Sequence, residues 1–445
     1  MDGRRAAPGP VRSVLVDALL YGASALLAAH VLSSPLVKHR TWAAFAWPVY
    51  ASASLAAIVL ALAVARPRRL YVIGARLLLA AVVFAGTVAA PLAAEVHRRA
   101  DREAAYAPAE VVVTESAAAA IVHGRDPYSA HFGSPELAGR EPSIAEHFPY
   151  LPLMTLFGVP HTLRPSSGWT DGRLYFALVT LLAALAALGR WKASAERRLL
   201  AVQALVLLPT GALPLVAGSD DMPVLGLSLL ALVLFSRGRS AASALAITGA
   251  ALLKLTAWPL MVCLALVAGR GRRIRSPLVL APGLVLLSVL ATAAAAPGPF
   301  VDDVLLFPLD LSSLPSPAAS TTVGSTVMSA THAASIASGR VLVTIALLAV
   351  ALLLASTIVV PLARSARAGA AEAAAAAGLV LGALILLAPV GRIAYFVYPV
   401  DLLLWSALLR DHLATSKGEA AVRFVTRLGV RPTLQHVRAR KASSW

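Results

Sequence analysis

The feature that most constrains this chain is a series of long apolar runs. They lie near residues 14–36, 43–65, 70–94, 173–189, 199–217, 222–236, 241–255, 256–268, 276–297, 341–362, 373–390 and 394–409. Most are long enough to cross a hydrocarbon layer of about 30 Å, which takes about 20 apolar residues as helix. Lipid cannot hydrogen-bond a peptide group, so such runs must satisfy their backbone internally and fold as helices. Charged residues make up 14% of the chain and the mean hydropathy is +0.76; a soluble domain carries about 25% charged residues. The fold expected is all-α: a polytopic transmembrane bundle of twelve spans.

The basic residues orient it. Arg4, Arg5 and Arg12 precede the first run; Arg66, Arg68 and Arg69 follow the second; Arg190, Lys192, Arg197 and Arg198 follow the fourth. Later turns carry Arg237 and Arg239, then Arg270–Arg275, then Arg364 and Arg367, and a basic tail begins at Arg410. One alternating path puts all of these in the cytoplasm with both termini, as the positive-inside rule requires. On that path the inner segments hold 26 Lys and Arg against 5 acids, and the outer segments 12 against 15. The net charge of +17 is therefore a membrane signature and not a nucleic-acid-binding one. The first run lacks a cleavage site and reads as a retained span. The lone Cys263 excludes an internal disulfide and a cysteine zinc site.

The path divides the chain into a three-span region (1–94), a first outer loop (95–172), a central membrane core (173–297), a second outer loop (298–339), the last spans (340–410) and the tail (411–445). The stretch at 150–163 is too short and proline-rich to cross, so it reads as a re-entrant or interfacial helix. Within the first loop, Val112, Val113, Ser116, Ala119 and Ala120 share one face of a short surface helix. Glu110 and Glu115 stand near its start, where the helix dipole favours carboxylates. Gly124 ends it, and Asp126-Pro127-Tyr128 turns the chain. Phe148, Pro149, Tyr150 and Pro152 lead back to the membrane.

A carboxylate followed by Gly124-x-Asp126-Pro127-Tyr128 and then Phe148-x-Tyr150-x-Pro152 resembles the GT-C glycosyltransferases. More narrowly it resembles glycosyltransferase family 87, the polyprenol-phosphate-mannose-dependent α-mannosyltransferases of actinobacteria. Further matches come in order: Gly218 with Asp220 and Asp221, the segment TGAALLKLTAWPL with Lys254, the run FPLDLSSLPSPAAS, and APVGRIAYFVYPVDLLLW with Arg392, Tyr395 and Tyr398. The resemblance covers residues 95–410 and implies a cell-membrane enzyme working on the extracytoplasmic side. It implies inverting transfer of a sugar, mannose above others, from a polyprenyl-phosphate donor to a lipid or glycan acceptor.

Such chemistry needs a carboxylate base and fixed cations for the departing lipid phosphate. Glu110 or Glu115 is the expected base; the family usually carries Asp at the Glu110 position. Lys254 and Arg392 are the expected phosphate holders, because an ionisable residue at membrane depth is functional by default. Asp126, Tyr128, Tyr150, Asp220, Asp221, Tyr395 and Tyr398 are the expected substrate contacts. Against these stand plainer roles: Asp126 bracing its turn, Asp220 and Asp221 capping a helix, Lys254 snorkelling to the interface. No cofactor and no metal is expected, although Asp302-Asp303 could invite one; His123, His131 and His147 read as loop residues. Asp17 and Arg76, inside spans, are expected to pair with each other or with backbone. The alternative function is a transporter or lipid flippase, which would place its polar residues at mid-membrane on broken helices.

Overall fold

The computed structural model describes residues 10–63, 69–101, 107–137, 142–165, 167–270, 276–314, 316, 322–331 and 337–410. The basic tail, Arg4, Arg5, Arg66, Arg68 and Arg272–Arg275 lie outside the described residues. Within them the chain is all helical, with no strand. We number its main helices α1 (Pro10–Val31), α2 (Val37–Ala63), α3 (Tyr71–Ala100), α4 (Ala109–Val122), α5 (Gly172–Arg190), α6 (Ala195–Leu207 with Pro209–Ala217), α7 (Asp221–Ser236), α8 (Ser240–Leu253), α9 (Leu255–Ala268), α10 (Pro277–Ala295), α11 (Ala337–Arg364), α12 (Ala370–Leu387) and α13 (Ile393–Arg410).

Each apolar run of the sequence corresponds to one of these helices. Eight are long and apolar enough to cross a membrane; α6 is a pair bent by 41°, and α7, α8 and α9 are shorter. Leucines such as Leu19, Leu26, Leu62, Leu78, Leu245 and Leu287 stand exposed around the bundle, as lipid-facing side chains do. The third helix runs on to Ala100, beyond the end of its apolar run, because buried partners hold its last polar turn.

Three helices break their hydrogen-bond ladder, and each freed carbonyl is taken up by another segment. A π turn at Ala85–Ala89 interrupts α3, and the Trp42 indole of α2 donates to the Thr87 carbonyl at 2.9 Å. A second π turn before Pro209 bends α6, and the Tyr50 hydroxyl donates to the Leu207 carbonyl at 2.5 Å. The third break separates α8 from α9 at Lys254, whose backbone is extended; there the Leu151 N–H donates to the Leu253 carbonyl at 3.2 Å. Broken backbone is tolerated at membrane depth only when protein supplies such partners. Inside the bundle Asp17 and Arg76 pair, at 2.5 and 2.9 Å, and Gln203 donates to the same carboxylate.

The turns fall at two ends. Arg270 reaches the Leu362 and Ala368 carbonyls at one end. At the other lie the 107–171 region, the α6–α7 turn, the break at Lys254 and the start of α13. The site is at this second end.

Candidate active site

Helix α4 is not a surface helix with one apolar face. Val111, Val112, Val113, Thr114, Glu115, Ala117, Ala118 and Ala120 are all buried, because the 127–164 segment and α5 wrap around it. Gly158 makes this possible: a Cβ there would lie 2.5 Å from the Thr114 carbonyl and 2.6 Å from the Glu115 Cα. The helix ends on Gly124 at φ +71°, with Arg125 N–H donating to the Ala120 carbonyl and Gly124 N–H to the Ile121 carbonyl. That is the two-bond closure a left-handed glycine provides.

The two candidate bases, one helical turn apart, sit in different surroundings. Glu110, on the first turn, forms an ion pair with Arg392, which precedes α13. Burial works to raise its carboxyl, but the Arg392 guanidinium, then Lys38, pull it down to about 2. Glu115 faces the other way. It accepts from Arg99 at 2.5 Å and from the Gly172 N–H at 2.8 Å, with His161 at 3.8 Å. Arg99 also holds Glu136 and Asp171, and Asp171 in turn holds the fully buried Arg173, which reaches Glu95. Burial would raise Asp171, but Arg173 and Arg99 hold it at about 2. Glu115 is thus one member of a buried ionic network that ties the end of α3 to α4 and α5.

Lys254 lies at the α8–α9 break with its ammonium 3.0 Å from Asp220 and 2.5 Å from Asp221. The Tyr150 and Tyr395 rings flank it at 5.4 and 5.5 Å, a distance at which an aromatic face attracts a cation. The Tyr398 hydroxyl donates to Asp221 at 2.7 Å. Gly218 ends α6 at φ +82° and turns the chain so that both aspartates face this point. Neither caps α7: Asp220, at the N-cap, makes no side-chain cap bond. One Asp220 oxygen, Oδ2, has no hydrogen-bond partner among the described residues. Burial first, with Asp221 and Glu110 adding to it, outweighs Lys254 and raises the Asp220 carboxyl to about 6.

The remaining motif residues support this centre. The Tyr128 hydroxyl donates to the Tyr150 carbonyl at 3.0 Å, and its ring packs edge-on against Phe300 and beside Phe148. Asp126 accepts from Ser129 at 2.7 Å and braces the turn. The structure therefore brings Glu110, Tyr150, Asp220, Asp221, Lys254, Arg392, Tyr395 and Tyr398 together, and leaves Glu115, Asp126 and Tyr128 outside. Sequence reasoning missed Lys38, Arg99, Asp171 and Arg173. The signal for the last was an arginine at the head of an apolar run, the second residue of α5, where only a buried partner makes it tolerable.

The arrangement offers one carboxylate held by an arginine, and beside it a lysine held by two carboxylates. The first can exchange a proton when its arginine finds another anion. The second leaves carboxylate oxygens free to accept from hydroxyl groups. The family model for glycosyltransferase family 87 matches residues 148–408. No curated protein and no solved structure matches the chain.

Proposed function

The chain belongs to glycosyltransferase family 87 and is thus a membrane glycosyltransferase; from that premise we propose a donor, a base and a phosphate holder. The donor is a polyprenyl-phosphate sugar, mannose first, and the acceptor a lipid or glycan hydroxyl on the extracytoplasmic face of the cell membrane. The observation that carries this reading is the Glu110–Arg392 pair beside the Lys254–Asp220–Asp221 cluster. Arg392 grips the donor phosphate, for which its forked guanidinium is suited. Doing so releases Glu110, whose carboxylate then regains basicity because burial alone pushes it upward. Glu110 takes the acceptor hydroxyl proton, the acceptor oxygen attacks the sugar's anomeric carbon, and the bond from that carbon to the phosphate oxygen breaks. The polyprenyl phosphate leaves with its electron pair against Arg392.

Lys254 has a different task in this reading from the phosphate grip expected of its charge. Two carboxylates already surround it, and a third anion gains little there. It holds Asp220 and Asp221 in place, and the unpartnered Asp220 oxygen accepts from a sugar hydroxyl.

The purified protein in lipid nanodiscs is to be assayed with polyprenyl-phosphate-mannose and, separately, with GDP-mannose. Turnover is expected with the lipid-linked sugar alone. Glu110→Gln keeps the shape but cannot take a proton, so the rate should fall about 10²–10⁴-fold while the protein stays folded. Turnover with GDP-mannose alone would overturn the donor; full activity of Glu110→Gln would overturn the base.

A further inference from the structure

A second group of side chains joins the two long loops away from the Lys254 centre. His147 precedes Phe148, Asp302 and Asp303 open the π turn after α10, and Ser312 follows it. One ligand atom from each of His147, Asp302 and Asp303 lies within 4.8 Å of the others. His147 is 4% exposed, and its ring is fixed twice over. It stacks on Phe307 at 4.1 Å and 7°, and its Nδ1 is 2.8 Å from the Ser143 carbonyl. A carbonyl only accepts, so Nδ1 carries the proton.

That leaves Nε2 of a neutral ring as a lone pair. It faces Asp302 Oδ2 at 3.3 Å and Ser312 Oγ at 3.0 Å, while Ser312 Oγ is also 3.0 Å from the same Asp302 oxygen. The hydroxyl has one proton for two acceptors. Asp303, which accepts from Phe148 N–H at 2.8 Å, adds a second carboxylate. Among the described residues neither aspartate has an ion-pair partner of Arg or Lys. Acceptors converge here and a positive charge is wanting.

We propose that His147, Asp302 and Asp303, with Ser312, bind one divalent transition cation, Zn²⁺ or Mn²⁺, that clips the second loop to the first. An imidazole with carboxylates suits these ions better than Mg²⁺ or Ca²⁺, which prefer all-oxygen sites. Histidine ligands ordinarily donate their other ring N–H to a carbonyl or carboxylate, as His147 does to Ser143. Tetrahedral bonds of about 2.0–2.1 Å put ligand atoms about 3.4 Å apart; His147 Nε2 and Asp302 Oδ2 already stand at 3.3 Å, and the other ligand pairs, all within 4.8 Å, close by about 1.4 Å at most. The clip lies next to Phe148 and two residues beyond it stands Tyr150, which flanks Lys254. The ion would thereby position the loop that covers the sugar site without touching substrate.

The test uses the full-length protein in nanodiscs, stripped with EDTA and titrated with Mn²⁺ followed by electron paramagnetic resonance. One Mn²⁺ per chain is expected, with a ¹⁴N coupling from His147, displaced by Zn²⁺ and not by Mg²⁺. Asp302→Asn should weaken binding at least about tenfold, and His147→Gln should abolish the ¹⁴N coupling. Should either variant fail to fold, the wild-type stoichiometry and coupling decide alone. No stoichiometric binding to wild type at millimolar Mn²⁺ would overturn the proposal and leave a protonated His147 paired with Asp302. Binding unchanged in both folded variants would overturn it too, since the ion then sits elsewhere.

Discussion

Arg392→Gln removes the guanidinium that faces Glu110. In the wild type the Glu110 carboxyl, ordinarily 4.5, lies near 2 because Arg392, with help from Lys38, outweighs burial. A shift of that size corresponds to about 3 kcal/mol. The Arg392 side chain is 42% exposed, so solvent screening reduces the pairwise share to about 1–2 kcal/mol. The sign follows from the direction of the shift. A depressed carboxyl contributes stability in full above its unfolded value, near 4.5, and loses it as pH falls through about 2. It is also ionised as a base throughout the working range. In Arg392→Gln burial is opposed only by Lys38 and a backbone hydrogen bond, and the carboxyl rises back toward its ordinary 4.5. The pH profile of kcat/KM reports the free enzyme's base. Measured from pH 4 to 8 with the lipid-linked donor, the variant should show an acid limb near 4–5 where the wild type stays level. Its plateau should also fall about 10²–10³-fold from loss of the phosphate grip. Arg392→Lys keeps the charge, so its plateau should fall while the limb stays absent. A limb in the same place in all three proteins would refute the link between Arg392 and Glu110.

Two further substitutions test the scaffold. Glu115→Gln leaves Arg99 short of a buried anion, and breaking such a pair costs about 3–5 kcal/mol; thermal melting should drop strongly while kcat per folded molecule holds. Gly218→Ala forces φ +82° on an L residue and puts its Cβ 2.4 Å from Arg173 Cγ. The left-handed backbone alone costs about 1–2 kcal/mol, so the melting temperature should fall, and transfer activity should fall further as Asp220 and Asp221 lose their aim.

Much of this was legible in the residues because hydropathy and charge act locally. Each apolar run became a helix, and Asp17 and Arg76 could be paired because two lone charges in lipid have few other choices. The convergence of Glu110, Lys254 and Arg392 followed from placing three helix ends at one end of the bundle. What escaped was contact at long range. Nothing in the spacing of Glu110 and Glu115 says which of them meets Arg99 and which meets Arg392; that depends on how α4 is rotated, and Gly158 sets the rotation by letting the chain press against Thr114 and Glu115. The His147–Asp302 contact joins residues 155 apart, beyond any local pattern. The helix expected to lie at the surface is buried because its polar face is sparse and small, a property shared by interfacial and embedded helices.

The Glu110–Arg392 pair has a consequence for biogenesis. Its partners lie 282 positions apart in the chain, and Tyr398 arrives later still. At about 5–20 residues per second, Glu110 waits on the order of 15–60 s after its own synthesis before Arg392 is made. During that interval the loop is anchored by its network to α3 and α5, both nearby in sequence, while the carboxylate of Glu110 has no guanidinium to meet. A nascent chain stalled before α13 would therefore hold a folded first loop without Arg392, and on the proposed reading the site is completed only when α13, the last helix among the described residues, is made.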